Sequence, residues 1–237
     1  MTDEPIFLLI ETATDICSVA VSHGKKILGI NEDLNGHSHA KNLLPFIDEI
    51  LQQNSLSTND LTAVVVSSGP GSYTGLRIGV STAKGIAYTA NIPILSVGSL
   101  TGIAQSCKNN PDFDDSQNSI IVPMIDARRM EVFTAIFDNN MNCIENISAK
   151  IIEDNSFLDL LICKTIFFCG NGMPKCKDIL SKSANARFIN EQISAKNLLK
   201  PALKKWKEKD FEDIAYFEPF YLKEYIAGKP IVKGLCK

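Results

Sequence analysis

The sequence predicts an α/β chain made of two worn copies of one lobe, and three observations carry that prediction. Apolar strands ending in a carboxylate recur: Ile6-Phe-Leu-Leu-Ile-Glu11 answers Ile121-Val-Pro-Met-Ile-Asp126. Six residues after each acid a second strand begins, at Cys17 to Val21 and at Val132 to Ile136. A later strand in each half empties into glycines, Leu61 to Gly71 in the first and, more weakly, Thr165 to Gly172 in the second. The 237 residues, 45% of them hydrophobic, fit one large domain or two small ones.

In chain order, Ile6 to Ile10 is an apolar run closed by Glu11-Thr12-Ala13-Thr14-Asp15. Cys17 to Val21 and Lys26 to Ile30 then read as strands around the turn His23-Gly24-Lys25. From Ser38 to Gln53, Leu43, Leu44, Phe46, Ile47, Ile50 and Leu51 recur at three- and four-residue steps, which is a helical stripe. The β-branched run from Leu61 to Val66 enters Ser67-Ser68-Gly69-Pro70-Gly71-Ser72, and helical periodicity resumes until Asn91-Ile92-Pro93 stops it. Ile94 to Val97 is a short strand. The polar, breaker-rich stretch from Asn109 to Asn118 predicts a boundary. The expected division is a first lobe over 1–105, a connection over 106–118 and a second, degenerate lobe over 119–237, with a return of the C-terminal segment to the first lobe left open. The pattern places no element between Asn139 and Leu161.

Composition excludes several classes. No apolar run approaches the roughly 18 residues of a membrane helix, and the acidic start Met1-Thr-Asp-Glu-Pro lacks the basic opening of a signal peptide, so cytoplasmic residence is expected. Seven scattered cysteines without a Cys-x-x-Cys pair argue for reduced, packed thiols rather than a disulfide framework or a zinc site. A net charge of −3 supplies no global field for a polyanion, so nucleic acid is expected as a ligand only with help.

The segment Gly69 to Gly79 follows a strand and opens a helix, a place where free N–H groups could hold an anion. Familiar motifs nevertheless fail there. A Walker loop needs Lys where Leu76 stands, and a nucleophile elbow needs a serine where Tyr73 stands. A dinucleotide fingerprint needs an acid about 20 positions on, yet no Asp or Glu occurs between Leu61 and Pro111. Gly75, Gly79, Ala83 and Ala87 form a ridge of small residues along the helix, suited to a close approach by another helix of this chain or of a partner. A neighbouring face carries Tyr73, Arg77, Ser81, Lys84 and Tyr88.

The turns Glu11-Thr12-Ala13 and Asp126-Ala127-Arg128-Arg129 carry side chains where a phosphate site wants open backbone, so they read as vestigial phosphate turns without strong ATP binding. His37 and His39 flank a helix start without further ligands and are expected to be solvated. A basic stripe, Lys196, Lys200, Lys204 and Lys207, lies on a predicted helix, and a lysine-bearing tail holds Lys223, Lys229, Lys233 and Lys237. Either is a solvated surface or a phosphate contact within an assembly.

The blocks Ile10-Glu-Thr-Ala-Thr, Ser68-Gly-Pro-Gly-Ser-Tyr-Thr-Gly-Leu-Arg77-Ile-Gly, Ile125-Asp-Ala-Arg128 with Glu131-Val-Phe, and Pro219-Phe-Tyr-Leu-Lys223 follow one another as in the TsaB (YeaZ) family, which the chain resembles over nearly its whole length. The resemblance implies an actin-like (ASKHA, ribonuclease-H-like) duplicated two-lobed fold. It implies a non-catalytic activating subunit in the making of N6-threonylcarbamoyladenosine beside the anticodon of tRNAs that read codons beginning with A. The implied partners are a TsaD-type catalytic paralogue, a TsaE-type ATPase acting through the complex, and tRNA only within the assembly. The metal-binding histidines of the catalytic paralogue fall near Ser99 and Ile103, neither a ligand, so no metal and no cofactor is expected beyond a nucleotide at a subunit junction. The family's pairing surface uses the first two long helices, here Leu43, Leu44, Ile47, Ile50 and Leu51 with Tyr73, Arg77, Ser81, Lys84 and Tyr88. The alternatives are an active, glycoprotease-like metallopeptidase or ATPase of the same superfold, and a homodimeric scaffold built on the same helices.

Overall fold

The computed structural model describes residues 4–34, 36, 38–191 and 193–223. Two five-stranded sheets are built to one plan. The first combines β1 (Ile6–Glu11), β2 (Cys17–His23), β3 (Lys26–Asp33), β4 (Ala63–Gly69) and β5 (Ile94–Gly98) in the order β3-β2-β1-β4-β5. The second takes β6 (Ser119–Asp126), β7 (Glu131–Asp138), β8 (Cys143–Ile151), β9 (Thr165–Cys169) and β10 (Ala186–Ile189) in the matching order β8-β7-β6-β9-β10. In each, the first three strands of the copy form an antiparallel meander and the last two add in parallel. This repetition is the duplicated, two-lobed actin-like α/β fold.

The sheets are continuous apolar runs because both of their faces are covered. In β1, Leu8 and Ile10 pack under α1 (His39–Gln53) and α2 (Tyr73–Ala90), while Phe7 and Leu9 point to the opposite face. That opposite face is closed by residues from late in the chain: Ala195, Leu198, Leu199, Ala202 and Trp206, from a 3-10 turn (Ala195–Leu198) and α6 (Leu199–Glu208). Phe7 and Trp206 meet edge to face, with ring centroids 5.6 Å apart. Conversely α3 (Ser99–Asn109), which directly follows the first sheet, packs Leu100, Ile103, Ala104 and Cys107 onto Ile121, Ile125 and Phe167 of the second. The other face of that sheet is covered by α4 (Leu158–Cys163) and α5 (Met173–Leu180). Each half therefore lends a helix to the other's sheet.

The stretch left without an element contains β8, an exposed edge strand with two register irregularities against β7, so it lacks the alternation that marks a half-buried strand. His39 is corrected from solvated to buried: its ring nitrogen lies 3.2 Å from the Ile16 carbonyl. His37, and the tail lysines Lys229, Lys233 and Lys237, lie outside the described residues. Among the described residues no helix is long and apolar enough to cross a membrane.

Candidate functional site

The site is built where β4 hands over to α2. Gly69 ends the strand at φ +108°, and a Cβ there would stand 2.4 Å from the Phe220 carbonyl oxygen, so only glycine fits. Ser72 caps the helix by accepting from the Gly75 N–H at 3.2 Å, and its own N–H donates to the Ala13 carbonyl at 2.6 Å. The glycines that follow face the β1–β2 turn. A Cβ on Gly71 would lie 2.2 Å from the Ala13 oxygen, one on Gly75 2.2 Å from the Thr12 oxygen, and one on Gly79 2.2 Å from Thr12 Oγ1. The space opened by the missing side chains is filled by the chain's own residues 12 and 13.

Beneath this contact Glu11 is fully buried. One carboxylate oxygen accepts from the Ala13 N–H at 2.7 Å and the Ser67 hydroxyl at 2.8 Å, while Oε2 and the neighbouring Thr12 Oγ1 have no hydrogen-bond partner among the described residues. Burial pushes the Glu11 pKa from 4.5 up to about 7, against the opposing pull of its hydrogen bonds. The second copy repeats the turn at the surface. Asp126 accepts from the Arg128 N–H at 2.7 Å, as Glu11 does from Ala13, and from Lys175 Nζ at 2.5 Å. Gly170 and Gly172 press on Met124 and Ile125 as the first-lobe glycines press on residues 12 and 13. Arg128 and Arg129 are exposed and both left-handed, at φ 70° and 48°.

Between the end of the first turn, Thr14 to Ile16, and the glycine turn after β9, Gly170 to Pro174, lies a cleft of about 280 Å³, lined by Thr14, Asp15, Ile103, Gly170, Asn171 and Glu191 among others. Its lining contains two carboxylates and no lysine or arginine, a charge balance that opposes a phosphate chain. The Ser99 hydroxyl accepts from the Gly69 N–H at 3.1 Å and Ile103 is packed in the core, so both positions are taken up by internal contacts. Among the described residues no three His, Cys, Asp or Glu side chains gather where they could hold a metal ion.

The residues expected at a pairing surface divide by burial. Leu43, Ile47, Ile50 and Leu51 are sunk in the first-sheet core, so their stripe is the helix's inward face, and a contact role for these four is corrected to core packing. Leu44 on α1 is 60% exposed and Tyr88 on α2 is 78% exposed, with Ser81 also on the surface. The ridge is likewise inward. Gly75 and Gly79 accommodate a turn rather than a helix, and Ala83 and Ala87 join the core formed with α1 and the sheet.

Tyr73, Arg77 and Lys84 are engaged by a C-terminal strap, residues 211–223, which sequence reasoning did not place along α2. Glu212 bridges to Ile94, Lys84 Nζ donates to the carbonyls of Ala215 and Phe217 at 3.1 Å each, and the Phe220 N–H donates to the Ser68 carbonyl at 2.7 Å. The Tyr73 and Tyr221 rings lie 4.5 Å apart, with Arg77 over the Tyr73 ring and donating to the Tyr221 hydroxyl at 3.3 Å. Lys223 then reaches Glu131 of β7 at 2.5 Å, tying the strap to the second sheet.

With this geometry in view, a family model described as TsaD: tRNA N6-adenosine threonylcarbamoyltransferase matches residues 15–229. The tRNA threonylcarbamoyladenosine biosynthesis protein TsaB of Haemophilus influenzae is 29% identical, over 94% of this chain and 96% of its own. That of Escherichia coli is 27% identical, over 94% and 97%. Among solved structures, an uncharacterized protein with similarity to peptidase YEAZ from Pseudomonas aeruginosa covers 92% of this chain and all of its own with a TM-score of 0.80 at 23% identity. YeaZ from Pseudomonas aeruginosa covers the same shares with a TM-score of 0.75 at 22%. The chain belongs to the TsaD family, and within it to the TsaB (YeaZ) branch.

Proposed function

We propose that this chain is a non-catalytic activating subunit for transfer of a threonylcarbamoyl group to N6 of the adenosine beside the anticodon in tRNAs that read codons beginning with A. A role in threonylcarbamoyladenosine modification of tRNA follows from the family and from the names its relatives carry. The non-catalytic part rests on one observation: the glycine loop that could cradle a phosphate is closed by Thr12 and Ala13, over a Glu11 sealed from any substrate. A base must come within hydrogen-bond reach of the proton it takes, and Glu11 has no exposed surface. The paired acid Asp126 is held by Lys175. These features weigh against the peptidase and ATPase alternatives.

The pairing surface in this reading is the outer face of α1 and α2 around Leu44, Ser81 and Tyr88, and the partner is a TsaD-type catalytic subunit. A TsaE-type ATPase and tRNA join through that complex. Purified chain, catalytic subunit and the mixture are compared for threonylcarbamoyl transfer to tRNA, with sedimentation of each. The expected result is transfer by the mixture alone and a heterodimer boundary. Transfer by this chain alone, or full activity of the catalytic subunit without it, would sink the proposal, and a homodimer that excludes the catalytic subunit would replace it with the scaffold reading.

A further inference from the structure

Lys196, Lys200, Lys204 and Lys207 stand three or four residues apart on the 3-10 turn and α6. With Lys25 of the β2–β3 turn they line an open groove of about 720 Å³ between α6 and the end of α3. All five are exposed, and none enters an ion pair among the described residues. Lys205, by contrast, is held by Asp210 at 3.0 Å and Glu212 at 4.0 Å. The groove contains one carboxylate, Glu191, which accepts from Asn110 Nδ2 at 2.7 Å. Asn197 also lines it: the residue is 3% exposed and its amide nitrogen has no hydrogen-bond partner among the described residues.

Five ammonium groups without an ion-pair partner among the described residues stand against one carboxylate, a surface rich in donors and poor in acceptors within a chain whose net charge is −3. At the helical rise, the four lysines from residue 196 to 207 run over roughly 16 Å, a row suited to successive phosphates of a strand rather than to one isolated phosphate. Their stems lie beside Ile27, Leu199 and Leu203, so the cationic heads sit on an apolar bed that keeps them at the groove's surface.

We infer that this groove holds the phosphodiester backbone of an RNA, namely the tRNA of the assembly proposed above, on which reading the inference rests. The contact gives position and affinity and reads no base.

Full-length tRNA is titrated from 50 to 200 mM salt against the chain alone and against the chain with its catalytic subunit. The wild type is compared with the quadruple variant Lys196→Gln, Lys200→Gln, Lys204→Gln, Lys207→Gln and with Lys205→Gln. The quadruple variant is expected to bind at least about tenfold more weakly in low salt, with a log K against log salt slope shallower by roughly 3, while Lys205→Gln leaves the slope unchanged. Circular dichroism of each variant checks that the fold persists. An unchanged slope and affinity for the quadruple variant overturns the inference. So does loss of binding to ADP or inorganic phosphate with tRNA binding intact, which would make this a small-ligand site. Sedimentation of the two subunits, run in parallel, keeps the two claims apart: wild-type chain that fails to pair counts against the functional reading, while the wild-type-to-variant difference in low salt, read on the chain alone or on the complex, decides the groove, and no difference in either overturns it.

Discussion

Thr12 and Gly79 meet at a spacing that admits no further atom: a methyl on residue 79 would lie 2.2 Å from Thr12 Oγ1 but 3.4 Å from Thr12 Cβ. Gly79→Ala should cost roughly 1 to 3 kcal/mol of stability despite alanine's better helix propensity. Because Oγ1 has no hydrogen-bond partner to lose among the described residues, Thr12→Ala should recover most of that loss. A denaturant-melt double-mutant cycle measures the coupling, and additive effects would refute the contact. Glu11 beneath them gives stability a pH dependence. The folded state holds this proton more tightly than the unfolded chain, about 7 against 4.5. Its contribution is therefore full below pH 4.5, declines as pH rises toward 7, and is lost above, about 3 kcal/mol in all. Melts of wild type and Glu11→Gln from pH 4.5 to 8 should show the wild-type decline flattened in the variant; parallel curves would rule out this role.

Helix α2 shows what one element of 18 residues can be asked to do on three sides at once. Its inner side meets the Glu11 turn and the sheet, a second side carries the strap through Tyr73, Arg77 and Lys84, and the third holds Ser81, Gly85 and Tyr88 in the open. Gly85 is the useful probe, since a Cβ there meets nothing within 4 Å among the described residues. Gly85→Ala should stabilise the isolated chain by about 0.5 to 1 kcal/mol through helix propensity. Gly85→Arg should leave the melt close to wild type and lower affinity for the catalytic subunit; calorimetric titration showing unaltered affinity would move the pairing surface elsewhere. The helix was legible in the sequence because its spacing is local. Which face looks inward was not. Small residues at four-residue steps allow close approach without saying whether a helix or a turn approaches, and Leu43 and Leu44 are equally apolar although only Leu44 faces out.

At the scale of the whole molecule, the two sheets are interlocked by exchange, α3 closing the second and α6 the first. The lobes should therefore unfold together. The single tryptophan, Trp206, packs on Phe7 of the first sheet, so its fluorescence reports that sheet, whereas far-ultraviolet circular dichroism reports both. Coincident transitions are expected, and two separated midpoints would mean independent lobes. The repeated sheet plan was visible in advance because Glu11 and Asp126 punctuate equivalent strands. The exchange was not visible, since a partner distant in sequence leaves no local mark on an apolar face, and Ser99, Gln105 and Ser106 of α3 are buried polar residues that blur its stripe.

The late arrival of α6 also sets a timetable for synthesis. The first sheet is complete in sequence at Gly98, yet Phe7, Leu9, Val65 and Leu95 stay uncovered on one face until Trp206 has been made. At ribosomal speeds that interval is roughly 5 to 20 s. During it the nascent chain displays a flat apolar sheet face, and the demand this places on chaperones comes from the order of the chain rather than from any weakness of the finished fold.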